Sequence, residues 1–134
     1  QRAARLQGEL IALYIERELG AAGDDGESGV KGELAQLWDI VASNLKRPWT
    51  VDDLAAAFGV SPPHFHRLVR EHYGTTPMRH VYRLRMEHAQ EMLVMHNYPV
   101  RVVAAHVGFQ NEFAFSTAFK RFAGVSPGVF RGRK

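Results

Sequence analysis

The sequence predicts an all-α protein with two helix-turn-helix subdomains, a homeodomain-like pair, joined by one long helix and preceded by an extra N-terminal helix. Three observations support this prediction. Apolar residues recur at helical spacing along the chain, and no strand-like alternation of useful length occurs. Residues 78–96 contain neither glycine nor proline, as a long helix requires. The segments on either side of these residues resemble each other, which indicates a duplication.

The composition excludes several classes of protein. The chain has 134 residues and no cysteine, which rules out disulfides, thiolate zinc sites and cysteine nucleophiles. No apolar run reaches the length of a membrane span, about eighteen residues, and no secretory signal opens the chain, so we expect a cytoplasmic location. Because the chain begins with Gln1 rather than Met, we also expect it to be a fragment of a longer protein.

Charge is distributed unevenly between the two parts of the chain. Residues 1–47 carry six Lys and Arg against eight Asp and Glu, a net charge of −2. Residues 48–134 carry eleven against six, a net charge of +5, together with all seven histidines. This bias favours a polyanionic partner for the C-terminal part, although many basic surfaces are only solvated.

The N-terminal part is predicted to consist of two helices and a linker. Residues 1–19 form an amphipathic helix, whose leucines serve either a dimer contact or an intrachain core: Leu6, Leu10 and Leu13. Residues 20–33 are rich in glycine and predict a flexible linker. A second amphipathic helix follows and ends before Lys46, with five apolar residues on one side: Leu34, Leu37, Trp38, Val41 and Leu45.

Capping residues mark the helices of the C-terminal part. Thr50 and Asp53 predict a capping box at the start of a helix over residues 51–58. Ser61 predicts the cap of a helix that ends near residue 73, and Thr76 that of the linking helix, residues 77–96. A short helix over residues 100–107 precedes one that is capped by Asn111 and ends near residue 123, and Ser126 opens a last turn.

Residues 54–77 and 103–127 are two copies of one pattern. Their small, capping, aromatic and turn residues match at an offset of 49 or 50 residues. The matching pairs are Ala55 and Ala104, Gly59 and Gly108, Ser61 and Asn111, Phe65 and Phe115, Gly74 and Gly124, and Pro77 and Pro127. Each copy is a short helix, a turn opened by glycine and a second helix, which is the sequence pattern of a helix-turn-helix motif. The motifs span about residues 51–73 and 100–123.

The second helix of each motif is predicted to have one buried and one solvent-facing side. The buried residues are Phe65, Leu68, Val69 and Tyr73 in the first motif and Phe115, Ala118, Phe119 and Phe122 in the second. A polar outer face is ordinarily only a solvated one. Two copies, basic residues on both outer faces and a linking helix of roughly 30 Å, close to the ~34 Å of a DNA turn, favour duplex DNA as the partner.

These residues resemble the DNA-binding domain of AraC/XylS-type transcriptional regulators. The resemblance covers about residues 47–131 and is most specific in the second motif, at Gly108-Phe109, Phe119-Lys120-Arg121 and Gly124-Val125-Ser126-Pro127. It implies a bacterial regulator, RNA polymerase as a partner, and a domain over residues 34–134. It also implies that residues 1–19 end an N-terminal sensing or dimerisation domain, through which a homodimer could form.

The resemblance implies positions for contacts with DNA. Base contacts fall on Pro63, His66 and Arg67 in the first motif and on Glu112, Phe113, Ala114 and Thr117 in the second. Phosphate contacts are expected from Ser61, Arg70, Asn111, Ser116, Lys120 and Arg121, with Arg83 or Arg85 as minor additions. Two residues depart from the family pattern: Thr117 replaces a frequent arginine, and His80 replaces a usual tyrosine, which predicts local repacking.

The sequence bears on three other interpretations. No His-x-x-x-His pair occurs and His64 and His66 point to different faces of a helix, so we expect neither a metal site nor another cofactor. Gly124 to Gly128 match Gly-x-Ser-x-Gly, but Pro127 lacks the N–H that an oxyanion hole needs, so Ser126 is better explained as a helix cap and we expect no enzyme. A helical protein–protein interaction module is the remaining alternative.

Overall fold

The computed structural model of the protein describes residues 26–132, and this part of the chain is entirely helical, without strands. This confirms the predicted all-α class. Seven helices follow one another: α1 (Gly26–Ala42), α2 (Val51–Phe58), α3 (Pro62–Tyr73), α4 (Pro77–Met95), α5 (Val100–His106), α6 (Glu112–Ala123) and α7 (Pro127–Arg131). The helix predicted over residues 1–19, with its leucines, and the first part of the predicted linker lie outside the described residues.

The predicted helix starts are confirmed by hydrogen bonds. Thr50 and Asp53 form the complete capping box, with the Asp53 N–H donating to Thr50 Oγ1 over 3.0 Å and the Thr50 N–H donating to Asp53 Oδ2 over 3.1 Å. Thr76 Oγ1 accepts the N–H of Arg79 at the start of α4. Ser126 Oγ accepts the N–H of Val129, which confirms that Ser126 is a helix cap.

The prediction of a flexible linker is wrong for residues 26–33, which belong to α1. The half-buried Val30 lies four residues before the fully buried Leu34, so the apolar side of α1 extends by one turn toward the N-terminus. Packing of this side outweighs the low helix propensity of Gly29 and Gly32. The helix ends at Ala42, before the predicted boundary, and Leu45 is buried in the turns that follow.

The chain divides into two compact units. Unit one contains α1 up to Val41 and residues 49–79, with α2, α3 and the first residues of α4. Its core is aromatic: the Trp38 ring lies 6.1 Å from Phe65 and 6.2 Å from Tyr73, and Phe58 lies 5.8 Å from Phe65. The five predicted apolar residues of the second helix are all buried, four of them in unit one.

Unit two contains residues 42–48 and 80–134, and its described part holds most of α4 together with α5, α6 and α7. Its core again centres on stacked aromatic rings, since Phe119 lies 5.6 Å from Phe115 and 5.4 Å from Phe130. Met86, Ala89 and Leu93 of α4 are buried in this core. A second aromatic contact joins α4 to α6, with the Tyr82 ring 5.9 Å from Phe122.

His80 is buried in unit two, with 8% of its surface exposed. Burial, and to a smaller extent the charge of Arg83, lowers the pKa of its imidazole below the ordinary value. The imidazole is therefore neutral at neutral pH. In this respect it resembles the uncharged tyrosine ring that is usual at this position.

Candidate nucleic-acid interface

The first helix-turn-helix motif consists of α2 and α3, which pack against each other in unit one. Ala55 and Ala57 are buried on α2. Gly59 turns the chain with a φ of 91°, a conformation that side chains disfavour. These features hold α3 against α2 on one side and leave its other side to solvent.

The two sides of α3 differ in chemistry. Phe65 and Val69 are fully buried, as predicted, whereas Leu68 and Tyr73 are half-buried. The predicted DNA-contacting residues lie on the opposite side: Pro63, Arg67 and Arg70 are exposed and His66 is half-buried. Arg67 and Arg70 are three residues apart, so both guanidinium groups can project from one face. The outer face of α3 is therefore polar and predominantly basic.

The second motif repeats this arrangement in unit two, where α5 packs against α6. Phe115 and Phe119 are fully buried, and Ala118 and Phe122 are half-buried. The outer face carries the predicted residues, of which Ser116 is half-buried and the others are exposed: Glu112, Phe113, Ala114, Thr117, Lys120 and Arg121. Phe113 is 82% exposed, so its large apolar ring faces solvent instead of contributing to the core.

The caps of the two recognition helices use only part of their hydrogen-bonding capacity. Ser61 Oγ accepts the N–H of His64 over 3.3 Å, and Asn111 Oδ1 accepts the N–H of Ala114 over 2.7 Å. The Ser61 hydroxyl proton and the Asn111 amide protons are not needed for capping. Both side chains are exposed, so these donors are available at the positively polarised N-termini of α3 and α6.

The position of α6 within unit two is fixed by a contact that the sequence pattern did not indicate. Tyr82 of α4 donates its hydroxyl proton to the carbonyl oxygen of Ala118 over 2.7 Å. This bond reaches the middle of α6 from α4. Together with the buried Phe115 and Phe119, it orients α6 about its axis and hence decides which residues face solvent.

The minor phosphate contact that the sequence predicted for Arg85 is wrong. Its guanidinium donates to the carbonyl oxygens of Leu45, of Val107 over 2.6 Å and of Arg47 over 3.1 Å. Partial burial lowers the pKa of the guanidinium. Because its donors are committed to these carbonyls, Arg85 is a structural residue of unit two. Arg83, in contrast, is exposed and lies 3.5 Å from Glu87.

The turn of the second motif depends on the same guanidinium. Gly108 has a φ of 96°, and a Cβ atom at this position would overlap both the Arg85 guanidinium and the Leu45 carbonyl oxygen. The positive φ and the lack of space for a Cβ atom therefore both require glycine at this position.

Comparison with known proteins gives consistent matches. The helix-turn-helix domain family matches residues 54–133, more than half of the chain. The RCS-specific HTH-type transcriptional activator RclR of Escherichia coli is 36% identical over 101 residues, which are 73% of this chain and 36% of the relative. A putative AraC-like transcription regulator of Streptomyces antibioticus is 36% identical over 130 residues, 91% of this chain and 40% of the relative.

Solved structures with a similar fold are also DNA-binding domains of transcription factors. The DNA-binding domain of the global transcriptional factor AdpA, crystallised in complex with a target DNA, is 30% identical with a TM-score of 0.69, covering 74% of this chain and 89% of that one. The chain belongs to the AraC/XylS family. An AraC-type regulator from Chromobacterium violaceum shares the fold of this AraC/XylS domain, with a TM-score of 0.72, 24% identity, and coverage of 79% and 95%.

This AraC/XylS domain is the DNA-binding domain of a transcriptional regulator. The chain spans less than half of the length of the curated relatives it matches. Within residues 26–132, no helix is both long and apolar enough to cross a membrane.

Proposed function

We propose that the domain binds duplex DNA sequence-specifically by inserting α3 and α6 into the major groove. The observation that supports this most is the pair of solvent-facing helix sides, each with two exposed cations, at matching positions of two motifs. A helix-turn-helix places its second helix in the major groove, with residues near the N-terminus of that helix against base edges. Exposed Pro63, Arg67, Glu112 and Phe113 occupy such positions in α3 and α6.

Among the proposed base contacts, Arg67 has the most specific chemistry. Its guanidinium can donate two parallel hydrogen bonds to O6 and N7 of guanine. Phe113 offers an exposed ring to a thymine methyl group, and Glu112 can accept from a cytosine amine. Glu112 also lies in the first turn of α6, where its charge stabilises the helix dipole. His66, Ala114 and Thr117 complete the proposed set.

We assign phosphate contacts to polar residues on the solvent-facing sides and at the N-termini of α3 and α6. Arg70, Lys120 and Arg121 are exposed cations, and the half-buried Ser116 lies on the same side of α6 as the proposed base contacts. Ser61 and Asn111 add the donors that capping leaves available, beside the backbone N–H groups of the helix N-termini. Such contacts position the protein on the duplex and carry no sequence information.

We infer that the two helices occupy successive major-groove segments. The support is the length of α4, whose 19 residues extend for roughly 28 Å at ~1.5 Å per residue. Recognition helices that contact one side of a duplex bind about 34 Å apart, one helical turn. Selection of bound sites from random duplex DNA should recover two boxes with this spacing, and a single box would contradict the inference.

The roles of the two helix faces are tested by comparing two single variants. We expect Arg67→Ala to lose preference for the selected site more than total binding, because it removes a base contact worth about 1–3 kcal/mol. Lys120→Ala should weaken binding to all sequences alike and reduce the salt slope by about 1. Binding isotherms with the selected site and with random duplex, at several salt concentrations, measure both effects.

Lys31→Ala is the matched control, since Lys31 is exposed on α1 outside both motifs. It should leave affinity and preference unchanged. Uniform and equal losses from Arg67→Ala and Lys120→Ala would contradict the assigned roles. Wild-type binding that is absent or indifferent to salt would instead contradict DNA binding itself and favour a protein–protein interaction module.

For the longer regulator we propose three further properties. RNA polymerase is a natural partner, and the naming of one relative as a transcriptional activator supports this. A homodimer through the N-terminal part would depend on residues outside those described. A cytoplasmic location follows from the need to reach bacterial DNA.

A further inference from the structure

A surface cavity of about 340 Å³ lies in unit two, and its lining includes none of the residues assigned to DNA so far. It is lined by Lys46, Arg101, Val102, Ala105 and His106. Lys46 comes from the turns after α1, and the other four residues come from α5 and lie on its exposed side. Two of the five lining residues are cations, a third can become one, and none is acidic.

Glu91 is an acidic side chain near this cavity, but it does not belong to the lining. The His106 ring stacks on His88 of α4, with centroids 5.3 Å apart and planes at 24°. His88 Nδ1 in turn lies 3.7 Å from Glu91 Oε1. The groups that face His106 are thus Lys46 from the turns after α1, Arg101 from its own helix, and His88 with Glu91 behind it from α4.

The lining of the cavity carries a net positive charge, because it contains Lys46 and Arg101 and no acidic residue. The pKa of His106 is lowered, first by burial and then by the charges of His88 and Lys46. Within residues 26–132, neither Lys46 nor Arg101 is joined to a carboxylate in an ion pair. The charges of Lys46 and His88 thus disfavour the protonated form of His106, and an anion bound in the cavity would offset this effect.

We propose that this cavity binds a phosphate group of the DNA backbone through Lys46, Arg101 and His106. The proposal rests on the proposed function, and it adds a phosphate site that lies outside both recognition helices. In a helix-turn-helix motif the first helix crosses the DNA backbone while the second enters the groove. The first helix of the second motif is α5, and its exposed side forms most of the cavity.

The chemistry of the lining suits a phosphate rather than a base. Lysine and arginine on long side chains give charge-assisted hydrogen bonds to phosphate oxygens, and neither needs a fixed base edge. The side chains of Val102 and Ala105 complete the lining and offer no competing acceptor. Protonation of His106 would add a third donor when a phosphate is present, so binding here is coupled to uptake of a proton.

The first experiment measures duplex binding of the Lys46→Gln/Arg101→Gln double variant as a function of salt concentration. Neutralising two phosphate contacts should lower affinity and reduce the slope of log K against log salt by about 2, at roughly 0.9 per contact. Preference for the selected site should not change. Lys46→Arg/Arg101→Lys keeps both charges and is the matched control, which should retain most of the affinity and the slope.

The second experiment identifies the source of the phosphate by nuclear magnetic resonance of the His106 imidazole. Random duplex DNA should shift the His106 signal toward the protonated position and raise its pKa, and the double glutamine variant should lose this effect. Inorganic phosphate, titrated at constant ionic strength, should have a much smaller effect at equal phosphate concentration. A response to inorganic phosphate without one to the duplex would overturn the assignment to DNA.

The outcomes separate this inference from the proposed function. If the wild-type protein binds duplex DNA with steep salt dependence and the double glutamine variant keeps its affinity and slope, this site is refuted while DNA binding stands. If the wild-type protein fails to bind duplex DNA, both proposals are refuted. Lys46 and Arg101 are exposed, so thermal unfolding of the variants should match that of the wild type.

Discussion

At the scale of single residues, Arg85 has the largest structural role that sequence patterns did not reveal. Its guanidinium joins carbonyl oxygens at Leu45 and Arg47, after α1, to that of Val107 at the end of α5. The last carbonyl groups of helices and turns lack partners within their own segment. One planar cation with several donors satisfies carbonyls from two segments that are some sixty residues apart in sequence.

Replacing Arg85 should therefore destabilise unit two strongly. We expect Arg85→Met to lower the free energy of unfolding by roughly 3 kcal/mol, because buried carbonyls lose a charged donor. Arg85→Lys should recover only part of this, since an ammonium group cannot span the same acceptors. Arg83→Met, on the same helix but in an exposed pair with Glu87, should cost less than about 0.5 kcal/mol. Denaturant unfolding measures all three, and equal losses at positions 83 and 85 would contradict this role.

At the scale of helices, boundaries set by neighbouring residues were predictable and those set by distant ones were not. Thr50, Ser61 and Asn111 each cap a helix through a bond to an N–H three residues on, so their pattern is visible in the sequence. The start of α1 depends on packing around Val30. The glycine content of the segment predicted a flexible linker there and gave no sign of this packing. Likewise Lys46 and Arg101 meet at one cavity although 55 positions separate them, and no local pattern indicates such a meeting.

Glycines in two helix environments should respond oppositely to alanine. Gly32 lies inside α1, exposed and with open space around a Cβ, so Gly32→Ala should stabilise by about 0.5–1 kcal/mol. Gly124 also has open space, but its φ of +85° after α6 disfavours any Cβ. Gly124→Ala should therefore destabilise by about 1–2 kcal/mol. Thermal unfolding tests both, and stabilisation by both would show that φ does not decide the effect.

At the scale of the molecule, the duplication seen in the sequence corresponds to two units that each have an aromatic core. Phe65 occupies the core of unit one and Phe119 that of unit two, and both are fully buried. The repeated glycine turns are also confirmed, with positive φ at Gly59 and Gly108. The fold was therefore predictable from the repeat, whereas the contacts of the proposed DNA-binding residues with bases stay predictions.

Each core can be tested separately. Phe65→Ala and Phe119→Ala should each cost roughly 3–5 kcal/mol, because each removes a fully buried ring. Hydrogen exchange should show the larger loss of protection in unit one for Phe65→Ala and in unit two for Phe119→Ala. Phe113→Ala, which removes an 82% exposed ring from α6, is the control and should leave stability nearly unchanged. Identical exchange patterns for the two core variants would contradict two separate cores.

The difference between the two outer helix faces has a consequence for transcription. A symmetric dimer binds a palindrome and approaches a promoter equally well from either direction, because its operator mirrors its own symmetry. Here one chain presents Arg67 on α3 and Glu112 with Phe113 on α6, two unlike surfaces. We therefore expect the target of such a chain to be a non-palindromic site, which would give a single bound copy a defined polarity relative to the start of transcription. Inverting the site should then change regulation even where affinity stays the same.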